Sequence, residues 1–331
     1  MARVILIQVV YNSRRFIPAV FPAMVGQTYK DIEIVAVICG NNDGSKELIA
    51  RDFPQVKIID PGENIGFAKA HNMVFAESNS EFFQLVNPDL VLSANYVEEM
   101  LKAFDDPKVG AATGKLLRYD FDRNQKTNII DSTGVNIFKS GAARDRGQHE
   151  VDNGQYDKDV SIQAVSGAGC MYRRESLLKT SVHKSIDYSL KSIDLEFFDE
   201  DFHSYWEDVD LSWRMTNAGW LCKYQPTAVA WHGRGAGSNP GGYKKVFSFI
   251  KFHRQLPPKI RQLNYQNHIL MYVKNSEKFY PQFIFRELVM FIYVLIFETS
   301  TLKIFPEFLK LLPMMWKKRQ FIKSNIILGR E

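Results

Sequence analysis

The sequence of 331 residues predicts an α/β fold, Rossmann-like with a mostly parallel central sheet, followed by a helical C-terminal extension. Three observations predict it. Four short apolar runs alternate with helical segments over the first third of the chain, the pattern of βαβ units. Each run stops at polar or turn-forming residues, as strands do when they feed loops along one edge of a sheet. Beyond Gly242 the strand pattern ends and helical segments carrying the excess Lys and Arg take over.

The first run, Val4–Val10, is β-branched and stops at Tyr11-Asn12-Ser13. A helix through Phe16–Val25 follows; Pro18 suits its first turn, and Pro22 is expected to kink or shorten it. Ile32–Ile38 is the second strand, ending in a loop from Gly40 through Asn41, Asn42, Asp43 and Gly44 to Ser45. Val56–Ile59 is the third strand, and Asn64-Ile65-Gly66-Phe67 opens a helix reaching about Ala76, with Lys69 in its first turn. Phe82–Val86 is the fourth strand and runs directly into Asn87-Pro88-Asp89. Ligands of such sheets sit outside the carboxyl ends of the strands, so Asn12, Asp43, Gly66 and Asp89 are expected to converge on one crevice. Each alone also suits ordinary turn chemistry.

From Asp120 to Asp159 the sequence turns polar with no clean period, which predicts a long loop or an excursion of small strands. Order returns at Ile162–Val165, before the small-residue stretch Ser166-Gly167-Ala168-Gly169. Trp220–Gln225 and Thr227–Trp231 read as two strands around Pro226 that deliver His232-Gly233-Arg234.

The stretch Phe198–Arg214 crowds six carboxylates, Asp199, Glu200, Asp201, Glu207, Asp208 and Asp210, against one cation, Arg214. Their summed field favours a metal ion, a cationic group or a proton nearby. From Asp208 the chain reads as a helix, with Leu211, Met215 and Ala218 on one face and Gly219 placed to end it. Glu207 and Asp208 then sit at its N-terminus, where a general base would be held rigidly. A plain structural role competes: an N-capping Asp, with Asp210 paired to Arg214 four residues on.

Length allows a substantial core in one large or two fused domains. Hydrophobic residues at 45% and charged residues at 24% describe an ordinary folded protein with a net charge of +5. Both signs are mixed through the ordered part, which argues against nucleic-acid binding. Cys39, Cys170 and Cys222 lie far apart without metal-site spacing and point to a reducing compartment. Val4–Val10 is too short for a signal peptide, so a cytoplasmic protein is expected.

Asp89 and His232 supply a ligand pair for Mg²⁺ or Mn²⁺ that leaves positions open for a pyrophosphate. Asp208 is the candidate for a base acting on an attacking hydroxyl, and one base with one displacement implies inversion. Tyr11-Asn12-Ser13, Asp43-Gly44-Ser45, Asn64 to Ala68, Asn87-Pro88-Asp89, Ser166 to Gly169 and Tyr205 to Leu211 occur in one order. In that order the chain resembles glycosyltransferase family 2, most closely its rhamnosyltransferase-like branch, over roughly Arg3–Gly237.

The resemblance implies the GT-A fold, a nucleotide-sugar donor, a divalent metal at Asp89, with His232 completing its site, and Asp208 as base beside Glu207. Tyr11, Asn12, Asp43, Gly66, Lys69, Asn87 and Arg234 are the expected donor-binding set. It implies a catalytic unit over residues 1–240, its first hundred residues binding the donor and the remainder the acceptor, with residues 241–331 as the extension. The expected acceptor is a glycan or polyprenyl-linked sugar in cell-surface polysaccharide synthesis. Gly141–Tyr156 is similar to a loop of this branch, with no role readable from its residues.

One departure stands out. Ile38-Cys39 occupies the position where family members carry an Asp-Asn pair that contacts the nucleobase; Asp43 could reach in, or base recognition is weakened. That leaves a second reading, a catalytically weak relative acting as a nucleotide or glycan scaffold. A nucleotidyltransferase would need a Gly- and basic-rich phosphate loop after the first strand, and Tyr11–Arg15 offers none.

In the extension, Lys244–Phe252, Tyr265–Tyr272, Gln282–Phe297 and Leu302–Phe321 look helical, the last interrupted by Pro306 and Pro313. Leu288–Phe297 is too short to span a bilayer, which needs about twenty apolar residues. Lys317-Lys318-Arg319 beside Trp316 and Phe321 reads as an interfacial helix resting on the inner face of the cell membrane. The alternative is an extension packed on the catalytic domain or forming a dimer contact.

Overall fold

The computed structural model describes residues 2–40, 43–183, 195–234 and 253–327. Strands β1 (Val4–Val10), β2 (Ile32–Ile38), β3 (Lys57–Ile59) and β4 (Phe82–Leu85) are parallel, in spatial order β3-β2-β1-β4. Helices α1 (Ile17–Val25), α2 (Ser45–Asp52) and α3 (Phe67–Glu77) make the crossovers. Alternate residues of β1 serve two cores: Val4, Leu6 and Val10 pack with Val20 and Phe21 of α1, while Ile5 and Ile7 pack with Val74 and Phe75 of α3. A strand buried on both faces has no polar side, hence a run that is apolar apart from Gln8, which is buried and donates to the Asn87 carbonyl. Pro22 lies inside α1, which ends at Val25, one turn later. Asn41 and Asn42 of the expected loop lie outside the described residues.

Next come β5 (Leu90–Leu92), α4 (Tyr96–Leu101), β6 (Val109–Asp120), β7 (Gln125–Ser132), β8 (Val135–Ile137), β9 (Ala143–Asp145), β10 (Ser161–Ile162), β11 (Cys170–Arg173) and α5 (Arg174–Thr180). The short strands β12 (Val182–His183) and β13 (Leu195–Glu196) lead to α6 (Glu207–Asn217) and β14 (Leu221–His232). The sheet passes from β4 through antiparallel β11 to β6 and β14, which run parallel to each other. The polar excursion is therefore small strands: β7 pairs with β6, and β8 with β9 forms a hairpin.

The two strands expected around Pro226 are one. β14 runs through the proline, and its register against β6 slips between Gln225 and Val229. Proline lacks the N–H a regular ladder would use, so a bulge absorbs it.

The extension contains α7 (Pro258–Asn275), α8 (Pro281–Phe297) and α9 (Phe305–Phe321). Tyr265–Tyr272 is the middle of α7, Pro306 lies in the first turn of α9 and Pro313 inside it. Lys244–Phe252 lies outside the described residues. No single helix among the described residues is long and apolar enough to cross a membrane.

Leu270, Met271 and Val273 of α7 and Leu311 and Met315 of α9 share a core with Val135, Ala164, Phe202 and Val209. Beside it lies a buried ionic cluster. Lys274 Nζ is 2.5 Å from Asp199 and 2.8 Å from Asp210, and Lys318 Nζ is 2.6 Å from Asp199 and 2.9 Å from both Glu196 and Asp201. Arg214 Nε completes it, 3.1 Å from Asp210.

Two expectations are corrected here. The acidic stretch has three cations within reach, not one, because two arrive from the distant extension. The Lys317–Arg319 cluster does not present a basic face: Lys318 is buried among these acids, and Arg319 donates to the carbonyls of Val273 and Glu277.

Candidate active site

The carboxyl ends of β1, β2 and β4 and the N-terminus of α6 open on one cleft of about 660 Å³. Tyr11, Gly66, Asn87, Asp89, Glu207, Asp208, His232 and Arg234, all singled out in the sequence, line it. Asn12, Asp43 and Lys69 do not. Asn12 makes the turn after β1 at φ +50°, and Lys69 is exposed on α3. The Asp43 carboxylate instead accepts from the N–H groups of Arg14 and Ser45, each at 3.0 Å. Of the four residues expected to converge, Gly66 and Asp89 do so, and Asp43 does not replace the missing carboxylate. Cys39 lines the cleft in its place, its thiol pushed up by burial and so kept neutral.

Asp89 follows β4 and His232 ends β14, and Leu90 pairs with His232 across the antiparallel β5–β14 ladder, bringing the two together. His232 Nε2 lies 3.1 Å from Asp89 Oδ1, and Nδ1 lies 2.8 Å from Asp131 Oδ2. Adjacent ligands on an octahedral ion, with bonds of about 2.1 Å, stand about 3 Å apart, so the pair fits such a metal. A carboxylate on the far imidazole nitrogen is the usual way a ligating histidine is oriented. Burial pulls the His232 pKa down, but the two carboxylates outweigh it and raise it to about 10, so a metal bound at Nε2 would have to displace a proton there. Asp131, 1% exposed at its side chain, is also 3.2 Å from Arg118 and 3.1 Å from Arg234. Arg234 in turn pairs with Asp145 of β9 at 2.5 Å. Burial opposes the charge on Asp131, but His232 and the arginines hold its carboxyl well below the ordinary value.

Asp131 and Asp145 escaped the sequence reading. Asp131 sits in the polar excursion, 101 residues from His232, and only the β6–β7 pairing brings it close. Asp145 belongs to the loop whose role was unreadable; the structure places it in the cleft wall beside Arg234.

The start of α6 has no Asp cap: its N-cap is Trp206, in the left-handed region at φ +75°. His203 at φ +59° and Tyr205 at φ +74° share that region, and such backbone costs about 1–3 kcal/mol per residue unless the surroundings hold it. Asn267 of α7 holds it: its side-chain N–H groups are shared among the carbonyls of Phe202 at 2.8 Å and of Ser204 and Tyr205 at 3.0 Å. Trp206 Nε1 donates to Asn264 Oδ1 at 3.1 Å, and Asn264 with Leu256 and Ile260 also lines the cleft. The extension thus forms one wall.

Asp208 accepts from Gly167 N–H at 2.6 Å and Val209 N–H at 2.8 Å, whereas Glu207 Oε2 has no hydrogen-bond partner among the described residues. Burial raises both carboxyls. Glu207, facing the Asp208 charge as well, reaches about 8; for Asp208 the two backbone donors oppose the rise. Negative charge is better supported on Asp208.

The folded chain holds the Glu207 proton up to about pH 8, and the unfolded chain loses it near 4.5. Stability therefore falls as pH rises through that window, by at most about 1.4 kcal/mol per pH unit. Glu207→Gln should flatten the fall, read as denaturant midpoints at several pH values. An unchanged slope would show that another group carries it.

A mostly parallel sheet bearing an aspartate–histidine pair and a helix-borne carboxylate at its strand ends is a GT-A fold. Two solved structures share it: the mannosyltransferase PcManGT from Pyrobaculum calidifontis in complex with GDP-Man and Mn²⁺ (TM-score 0.51, 15% identity, 100% of this chain and 88% of that one) and GalNAc-T7 with UDP, GalNAc and Mn²⁺ (TM-score 0.54, 12% identity, 90% and 58%).

The family profile of Glycosyl transferase family 2 matches residues 6–180, more than half of the chain, and the chain belongs to that family. Among its relatives is a poly-beta-1,6-N-acetyl-D-glucosamine synthase of Staphylococcus aureus, 25% identical over 228 residues, 67% of this chain and 47% of that protein. An N-acetylglucosaminyltransferase of Bradyrhizobium diazoefficiens is 24% identical over 180 residues, 54% of this chain and 32% of that protein. The chain spans about half or less of the length of these relatives.

Proposed function

We propose that the chain is an inverting glycosyltransferase, dependent on Mg²⁺ or Mn²⁺, that moves a sugar from a nucleotide-sugar to a glycan or polyprenyl-linked acceptor in cell-surface polysaccharide synthesis. Its place is the cytoplasmic side, in peripheral contact with the inner face of the membrane. The observation that carries the reading is a carboxylate supported by two backbone N–H groups, Asp208, in the same cleft as Asp89 and His232. The metal would be held by Asp89 and His232 and would stabilise negative charge on the departing diphosphate. Asp208 takes the proton from the acceptor hydroxyl, and the neutral Glu207 beside it adds no second charge. Tyr11, Gly66, Asn87 and Arg234 form the donor wall. Binding of acceptor against Leu256, Ile260 and Asn264 keeps water from the anomeric carbon.

The resemblance to the rhamnosyltransferase-like branch brings rhamnose into consideration as donor sugar, and the names of the relatives bring in N-acetylglucosamine. Cys39 favours a second reading, a catalytically weak scaffold for nucleotide or glycan. A thermal-shift panel of dTDP-rhamnose and UDP-, GDP- and CDP-linked sugars, with and without Mn²⁺, separates the two. A ligand at a hundred times its Kd adds about 2.7 kcal/mol of stability. Metal-dependent stabilisation by one nucleotide class is expected, and Asp89→Ala should abolish its metal dependence. No shift with any donor would favour the scaffold.

A further inference from the structure

The buried positions of Lys318 and Arg319 leave the Lys317–Arg319 cluster without the basic face expected of it, yet α8 carries a different surface. Ile284, Phe285, Leu288, Ile292, Leu295 and Ile296 recur at spacings of three and four and are between 46 and 70% exposed. Among the described residues the opposite face is the packed one: Phe283 stacks on Tyr272 of α7 with ring centroids 3.6 Å apart, and Val294 is 1% exposed. The two charged residues of α8, Arg286 and Glu287, pair with each other at 2.5 Å beside buried His268 and leave the exposed stripe uncharged. So large an apolar stripe marks an interaction surface.

α9 continues this surface. Phe305 lies 5.9 Å from Phe291 of α8, and Trp316 stacks on Phe279, just ahead of α8, at 6.2 Å. Along it Leu309 is 62% and Trp316 47% exposed. Lys278, Lys303, Lys310 and Lys317 are exposed on the segments that precede and follow α8, against the exposed acids Glu277 and Glu307.

We infer that the α8 stripe with the lysines of its flanking segments is a docking surface for an anionic lipid bilayer, on which α8 lies in the plane of the interface. An apolar face flanked by lysines and a tryptophan is the composition of an interfacial helix. Charge decides against a second copy of this chain. In a symmetric dimer the patch meets a copy of itself with the same excess of lysine over acid, whereas lipid phosphates oppose that excess with the other sign. The inference rests on the peripheral contact included in the proposed function, and its test uses no transfer reaction.

The test is flotation of the full chain with vesicles of phosphatidylcholine alone and of phosphatidylcholine mixed with phosphatidylglycerol. Binding to the anionic vesicles is expected to be at least about tenfold tighter than to the neutral ones. It should fall at least about tenfold both in Phe285→Gln with Ile296→Gln and in Lys310→Glu with Lys317→Glu, whereas the melting temperature and the shift given by nucleotide-sugars stay as in the parent. Absence of flotation, or flotation unaffected by both variants, would overturn the inference and leave the transfer reading intact. So would a dimer, measured by light scattering, that the Phe285→Gln/Ile296→Gln chain loses. Loss of every nucleotide-sugar shift with flotation retained would count against the transferase and not against the surface.

Discussion

Asp208→Asn is expected to bind nucleotide-sugar as the parent does and to lose transfer by about 10²–10⁴-fold, the usual worth of a positioned general base. The amide keeps the size of the side chain and its one oxygen can still accept from Gly167 at Oδ2 or Val209 at Oδ1, though not from both, so the cleft wall is expected to hold with one backbone hydrogen bond fewer. It cannot take a proton. The measurement is donor affinity by calorimetry beside transfer to a glycan acceptor. Transfer near the parent rate would remove Asp208 from its role; loss of donor affinity in parallel would mean that the variant had disturbed the wall. Glu207→Gln serves as the comparison, because a residue already neutral near pH 7 should tolerate the amide far better.

Lys274→Ala is expected to destabilise the chain by about 3–5 kcal/mol, the range for removing one partner from a buried ion pair. Lys274 has no exposed side-chain surface, and neither do Asp199 and Asp210. Burial opposes the charge on Asp199, and the two lysines hold its carboxyl well below the ordinary value, while Glu196 is pushed up to about 7 by burial and the neighbouring Asp199. Without Lys274 the Asp199 and Asp210 carboxylates keep Lys318, Arg214, the Asn275 amide and the Asp201 N–H as partners. Urea unfolding would report the loss. The added Asp199→Asn substitution should restore part of it, since the two residues share one network. A loss below about 1 kcal/mol would show that Lys274 does not hold the cluster together.

The parallel half of the fold was legible because strands buried on both faces leave mostly apolar runs, as β1 does apart from Gln8 and β2 apart from Glu33. The cleft was legible in part: Asp89 and His232 each follow a strand, and Glu207 and Asp208 open a helix. Asn12 and Asp43 follow strands too, but local hydrogen bonding and turn geometry use them up, and position after a strand does not distinguish the two fates. Asp131 gains its meaning from His232, and Asn267 from a turn more than sixty residues earlier. Neither pairing leaves a local period or spacing. The same holds for the cations of the acidic stretch, where a run of carboxylates announced that partners were needed without saying which lysines would come.

The buried lysines also bear on how freely this architecture can be recombined. Lys274 and Lys318 act as a two-pronged key cut to the acids of one catalytic half. A chimera carrying the tail of a relative without both prongs would seal under-compensated carboxylates under α7 and α9, and a tail that also lacked Asn267 would release the strained turn ahead of Asp208. Catalytic half and tail are therefore expected to be inherited and exchanged as a matched set.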